Sequence, residues 1–219
     1  MKLRLEISHV YKHYDGRIIL TDCTFFFKDS GVYVVMGPNG SGKSTLFRLC
    51  ALLEHPDKGE INYWSDDTII PKDIQLRRRI TLVLPKIGVF NTSVFKNVAY
   101  GLRIRGVEKK DILKRVEESL DFVGLSHKKR QNALTLSSGE TQRLGIARAL
   151  VIKPEIIFLD EPTIFVDEEN KKTIEDIILK IKKDGKSTVI ITTHEKALAG
   201  RLADKILHMR NGRLFEWEM

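Results

Sequence analysis

Gly37-Pro38-Asn39-Gly40-Ser41-Gly42-Lys43-Ser44-Thr45 is the stretch that decides how this 219-residue chain is read. It fits the pattern G-x-x-x-x-G-K-[ST], in which glycines let the backbone wrap around an anion while N–H groups and the positive end of the next helix point at it. The apolar run Val32 to Met36 before it predicts a buried strand, and Leu46 to Leu53 after it predicts a helix. In that setting Lys43 is expected at the β- and γ-phosphates of a nucleotide, and the Ser44 hydroxyl on Mg²⁺.

Working outward, Leu3 to Ile7 and part of Ile18 to Phe27 alternate apolar and polar residues, which predicts a half-exposed antiparallel sheet at the N-terminus. Ile80 to Leu84, Ile156 to Leu159 and Val189 to Ile191 are short apolar runs rich in β-branched residues and read, like Val32 to Met36, as strands buried on both faces. Helical spacing joins Ile112, Leu113, Val116, Leu120 and Val123, and again Ile174, Ile177, Ile178 and Ile181. Strands alternating with helices imply a mostly parallel sheet. The interval from about residue 90 to 154 shows helical patterns and no convincing strand, so a helical insert is expected there within a single domain spanning 1–219.

Hydrophobic residues make up 42% and charged residues 30%, which excludes a largely disordered chain. No apolar run approaches the roughly 18 residues that cross a bilayer. Met1-Lys2-Leu3-Arg4 leads straight into a strand-like segment, so no secretory leader is expected and the chain is placed on the cytoplasmic side. Cys23 and Cys50 lack metal-ligand spacing and are expected to pack as reduced, small apolar groups. The net charge of +8 favours acidic partners without choosing among them, and Arg103 to Arg115, His127 to Arg130 and Lys171 to Lys186 read as solvated helix faces.

A second site lies in Ile156-Ile157-Phe158-Leu159-Asp160-Glu161, a buried strand ending in two acids. Asp160 suits Mg²⁺ held through water, and Glu161, pointing elsewhere, suits polarisation of an attacking water. Leu136-Ser137-Ser138-Gly139-Glu140-Thr141-Gln142-Arg143 opens another helix; a Ser-Gly turn there offers N–H groups to an anion, although alone it reads as a helix cap.

Taken together, these segments resemble the ATP-binding subunits of ABC transporters over nearly the whole chain. The family's LSGGQ-type signature, the following QR and an ARAL-like helix correspond to Leu136 to Glu140, Gln142-Arg143 and Ala147-Arg148-Ala149-Leu150. Tyr14 resembles the aromatic that stacks on adenine, Asp167 the end of the D-loop, and His194 in Ile191-Thr192-Thr193-His194-Glu195 the switch histidine. The resemblance implies an α/β fold of the P-loop NTPase, ABC ATPase type: a mostly parallel core sheet, an N-terminal antiparallel β-subdomain and an inserted α-helical subdomain. It implies Mg-ATP hydrolysis in a head-to-tail homodimer. Each ATP would lie between the phosphate loop of one subunit, Gly37, Pro38, Asn39, Gly40, Ser41, Gly42, Lys43, Ser44 and Thr45, and Ser137 and Gly139 of the other. Glu161 would activate water and His194 would sense the γ-phosphate. Transmembrane permease subunits would dock on the helical insert, with an extracytoplasmic solute-binding protein acting through them and no nucleic acid involved.

Three positions depart from the family pattern. Pro85 stands where the family carries glutamine and offers neither side-chain oxygen nor N–H. Ser138 replaces the second signature glycine, and Ile164-Phe165-Val166-Asp167 replaces SALD. Lys43, Asp160, Glu161 and His194 all remain, so slow but real hydrolysis is expected. Phe90 to Leu102, beginning Phe90-Asn91-Thr92-Ser93-Val94, is similar to ATP-binding subunits of tungstate and related oxyanion importers, with phosphate, molybdate and amino-acid import as alternatives. The chain reaches Trp217 two residues before its end, so no appended C-terminal regulatory domain is expected. Two other readings are a soluble ABC ATPase working on nucleic acid or the ribosome, and a regulatory module that binds ATP with little turnover.

Overall fold

The structure, a computed structural model, describes residues 3–216. Met1, Lys2 and Trp217, on which two of the expectations rest, lie outside the described residues. In chain order the elements are β1 (Leu3–Tyr14), β2 (Arg17–Phe27), β3 (Val32–Met36), α1 (Lys43–Cys50), β4 (Lys58–Ser65), β5 (Thr68–Ile69), α2 (Ile74–Arg77) and β6 (Ile80–Val83). They continue with α3 (Val94–Arg103), α4 (Lys109–Phe122), α5 (Ser138–Leu150), β7 (Ile156–Asp160), α6 (Glu168–Asp184), β8 (Thr188–Thr193), α7 (Lys196–Leu202), β9 (Lys205–Arg210) and β10 (Arg213–Glu216).

Two sheets result. The antiparallel one runs β2-β1-β4-β5, and the other runs β10-β9-β3-β8-β7-β6, parallel at every pairing except β10 with β9. Alternation along the central strands builds two cores on opposite faces of the larger sheet. Val32, Val34 and Met36 join Ile157, Leu159, Val189 and Ile191 in a core shared with α3 to α7. Tyr33, Val35, Ile156, Phe158 and Ile190 face the other way, against α1 and the antiparallel sheet.

Burial explains why the short apolar runs become central strands: every residue of β3, β7 and β8 is buried. Ile80 to Leu84 departs from that expectation. β6 is the edge of its sheet, so Thr81 and Leu82 are only partly covered and Leu84 lies beyond the strand, exposed. On α4, Ile112, Val116 and Leu120 form the buried stripe while Leu113 faces outward; on α6, Ile174, Ile177, Ile178 and Ile181 are all buried. Between residues 90 and 154 the described chain is helical, with one isolated bridge, Ser93 to Asn132, and no strand. Cys23 and Cys50 are free and buried, and burial pushes the Cys23 thiol up to about 12.

The helix after the phosphate loop is shifted from the reading Leu46 to Leu53. Gly42, at φ +104°, is its N-cap, so the helix begins at Lys43 and the loop glycine aims the first free N–H groups forward. At the other end Leu52 takes φ +57° while Leu53 N–H donates to Arg48 O and Leu52 N–H to Leu49 O, the paired bonds that stop a helix in a left-handed turn.

Candidate functional site

Parallel order places the ends of β3, β8 and β7 side by side. Met36 is level with Thr193 and Asp160 with Thr192, so the phosphate loop, the Asp160-Glu161 pair and His194 emerge from neighbouring strand ends, where α/β sheets present their sites. A cleft of about 410 Å³ lies there, lined by Asn39, Gly40, Gly42, Lys43, Ser44, Thr45 and Glu161, and also by Arg17, Ile19, Pro85, Ile164 and Phe165.

The loop's glycines answer different constraints. A Cβ on Gly37 would lie 2.4 Å from Met209 O, and one on Gly42 2.8 Å from Leu20 Cδ2. Gly40, at φ +78°, has open space beside it, as a backbone that borders a bound group requires. Lys43 is almost wholly buried, and its ammonium donates to Gly37 O at 2.8 Å and Pro38 O at 3.2 Å. It also lies 3.4 Å from Glu161 Oε1. That ion pair is not aligned as a hydrogen bond, and Glu161 Oε1 and Ser41 Oγ are left buried without a hydrogen-bond partner. Two orphaned oxygens, one in the glycine-rich loop and one just beyond β7, mark a place built to receive further groups.

Asp160 is 2% exposed, and its Oδ1 accepts a 2.6 Å bond from Thr192 Oγ1. The same Thr192 oxygen accepts from Glu161 N–H at 2.9 Å. One buried hydroxyl thus orients both acids. Glu161 itself sits at φ +45°, a strained position for a non-glycine residue, and His194 Nδ1 lies 3.1 Å from its Oε2. The donor set fits Mg²⁺: the Ser44 hydroxyl and one carboxylate, with room for phosphate oxygens and water, all hard oxygen ligands. No group of three or more acidic, histidine or cysteine side chains capable of holding a metal unaided occurs among the described residues.

Other residues named from the sequence stand apart. Ser137 caps α5 in a capping box with Glu140, its Oγ accepting from Glu140 N–H at 3.2 Å. Burial works against ionisation of Glu140, but the bonds from Lys128 and from Ser137 N–H outweigh it and hold the carboxyl below its ordinary value. Gly139 faces Asn170 on α6 so closely that a Cβ would meet Asn170 Cγ at 2.2 Å. Asn170 Nδ2 in turn donates to both oxygens of Asp167, whose own Oδ1 caps α6. Tyr14 lies on the β1–β2 hairpin, its hydroxyl donating to Glu54, and Arg48 links that hydroxyl to Thr45 Oγ1.

Thr192, next to last in β8, carries no local signal for its role, because only the pairing of β8 with β7 sets its hydroxyl beside Asp160. Arg17 and Ile19 carried no signal of their own, because only the hairpin's position brings them to the cleft.

The family model described as ABC transporter matches residues 20–164. The chain is 36% identical over 214 residues to the tungstate uptake system ATP-binding protein TupC of Peptoclostridium acidaminophilum, covering 98% of each chain. It is also 36% identical to the phosphate import ATP-binding protein PstB of Saccharolobus solfataricus, over 97% of this chain and 86% of that one. Among solved structures, the dimeric bacterial ABC transporter cassette MJ0796 superposes with a TM-score of 0.86 at 26% identity, covering 98% of both chains. A glycine-rich loop, an acid pair and a histidine at adjacent strand ends, in a chain matched this far along its length, place this protein in the ABC transporter family as one of its ATPase subunits.

Proposed function

We propose that this ATPase energises import of a solute through transmembrane permease subunits, and that the solute is an oxyanion such as tungstate. The observation that carries the catalytic part is the pairing of Lys43 with Glu161 at one cleft, with His194 on Glu161 and Asp160 held by the Thr192 hydroxyl that also binds Glu161 N–H. Glu161 takes the proton of the attacking water at Oε1, the oxygen without a hydrogen-bond partner. His194 fixes the other carboxylate oxygen and senses the γ-phosphate. Lys43 exchanges its carbonyl contacts for phosphate oxygens, where donor and acceptor both carry charge. Ser44 and Asp160 would hold Mg²⁺, which when bound would neutralise charge on the phosphate oxygens.

Ser137 and Gly139 act in trans, on the nucleotide of a second copy in a homodimer. Their separation from the chain's own cleft, the helix N-terminus they occupy and the dimeric neighbour support this. Tyr14 stacks the adenine. The segment from about 90 to 154 is the docking subdomain. A groove of about 320 Å³ between β6, α3 and α5 supports it: Leu82, Ile87 and Tyr100 give an apolar lining, and Lys86, Arg105 and Arg148 border it with no carboxylate among them. A permease segment carrying apolar and acidic side chains fits that lining. The subunit then sits peripherally at the cytoplasmic membrane face, and no helix of the described residues is long and apolar enough to cross the bilayer. An extracytoplasmic solute-binding protein would supply the solute. Support for the oxyanion comes from the tungstate and phosphate import relatives.

Steady-state Mg-ATP hydrolysis by the wild type against Glu161→Gln tests the catalytic reading, which fails if the two rates are equal. Co-purification of tagged Glu161→Gln protein from detergent-solubilised membranes with ATP tests the rest. A multi-span membrane protein in near-equal amount is the expected companion; ribosomes or nucleic acid would refute the transport reading.

A further inference from the structure

We propose that Arg17 is a nucleotide-binding residue that holds the α-phosphate, delivered by the same hairpin that carries Tyr14; this rests on the ATP reading of the cleft. Asp15 and Gly16 turn that hairpin at φ +48° and +76°, the pair of positive values that defines the tight two-residue turn suited to strand twist. The turn fixes the register, and Tyr14 and Arg17 are directly opposed. Opposed residues of an antiparallel pair project from the same face, so the phenol and the guanidinium leave the hairpin on one side.

From there their surroundings differ. Tyr14 is tied down: its hydroxyl donates to Glu54, and the Lys12 ammonium lies 5.4 Å from its ring centroid. Arg17 instead lines the cleft with Lys43, Ser44 and Thr45. It is exposed, and no hydrogen bond or ion pair from a described residue reaches its guanidinium. Cations nearby are otherwise engaged, Lys12 with Asp57 and Arg48 with Glu54. An unpaired guanidinium bordering an anion cradle matches a phosphate, whose oxygens take its N–H groups two at a time.

Which phosphate follows from position. Lys43, Glu161 and His194 define the far end of the nucleotide, where the β- and γ-phosphates belong. Tyr14 defines the base end. A residue paired across the hairpin from the base platform reaches the phosphate nearest the ribose. Arg17 thus binds ground state and transition state alike, because the α-phosphate does not change in the reaction.

The test is equilibrium binding of ATP, ADP and AMP, with steady-state kinetics, for wild type, Lys43→Ala, Arg17→Ala and Arg17→Lys. Arg17→Ala is expected to weaken all three nucleotides about tenfold, about 1.4 kcal/mol, and to raise KM as much with kcat unchanged. Arg17→Lys, keeping charge but losing the fork, falls between. The hairpin tip is exposed, so a thermal melt should match wild type. Unchanged affinities would overturn the proposal, as would a loss confined to ATP or a fall in kcat at constant KM. Failure of the underlying ATP reading looks different: the wild type itself would not bind ATP, or Lys43→Ala would bind it as well.

Discussion

Thr192→Val should damage the site without a cavity, because valine and threonine have nearly the same shape. The hydroxyl lost makes two buried bonds, donating to Asp160 Oδ1 at 2.6 Å and accepting from Glu161 N–H at 2.9 Å. Asp160 is 2% and Thr192 0% exposed, so water does not replace either bond. A hydrogen bond to a charged group contributes about 1.5–3 kcal/mol, and a buried N–H left unpaired costs about 1–3 kcal/mol. The expected loss is on the order of 3 kcal/mol, measured by denaturant unfolding at neutral pH. Thr192→Ser keeps the hydroxyl and loses one methyl, so it should cost only about 1 kcal/mol. Pairing Thr192→Val with Asp160→Asn in a double-mutant cycle should show coupling of about 1–2 kcal/mol. In hydrolysis assays the Mg²⁺ concentration for half-activity should rise, since Asp160 is no longer oriented. A loss under about 0.5 kcal/mol, or a serine variant as damaged as the valine one, would show that the hydroxyl does not organise the acids.

Gly37→Ala should unfold more readily by more than about 2 kcal/mol, since its Cβ would lie 2.4 Å from a backbone oxygen, Met209 O, that cannot step aside; a thermal melt reads this. Gly139→Ala meets a side chain instead, Asn170, and should push it off Asp167, costing about 1 kcal/mol in stability and, in the dimer reading, far more in ATP hydrolysis. An unchanged hydrolysis rate would contradict that reading. Glu140 has its folded value below the ordinary one, so its contribution to stability is full above the ordinary carboxylate range and is lost as pH falls through the lower folded value. Glu140→Gln should therefore flatten the acid limb of a stability-against-pH curve below about pH 4.5, and an unaltered limb would show that Lys128 and the Ser137 N–H do not hold the charge.

Much of this was legible in the chain alone, for reasons of range. The phosphate loop, the acids after Ile156 to Leu159 and the apolar strands are local patterns: a turn that only glycines accommodate, and runs whose burial is written in their residue types. Helix α6 was readable because Ile174, Ile177, Ile178 and Ile181 repeat at the helical period and all four are buried. Strands β4, β9 and β10 leave no such local pattern. Their residues mix charge with apolar groups, as in Lys205–Arg210, and pairing with neighbours, not composition, makes them strands. Asp15-Gly16, by contrast, is a local hairpin signal between β1 and β2.

Which distant residues share one space is settled by long-range packing. The sequence puts Lys43 more than a hundred residues from Glu161 and Thr192, and nothing in local pattern states that β3, β8 and β7 are neighbours. Their parallel order does, and it brings the lysine to within 3.4 Å of the glutamate and hangs both acids on one hydroxyl. Residue chemistry is a property of the chain, and the sequence alone determined it here: an anion cradle, a pair of acids, a histidine. Their alignment is a property of the sheet, because hydrogen-bonded register, set by long-range packing, fixes which strand ends lie side by side.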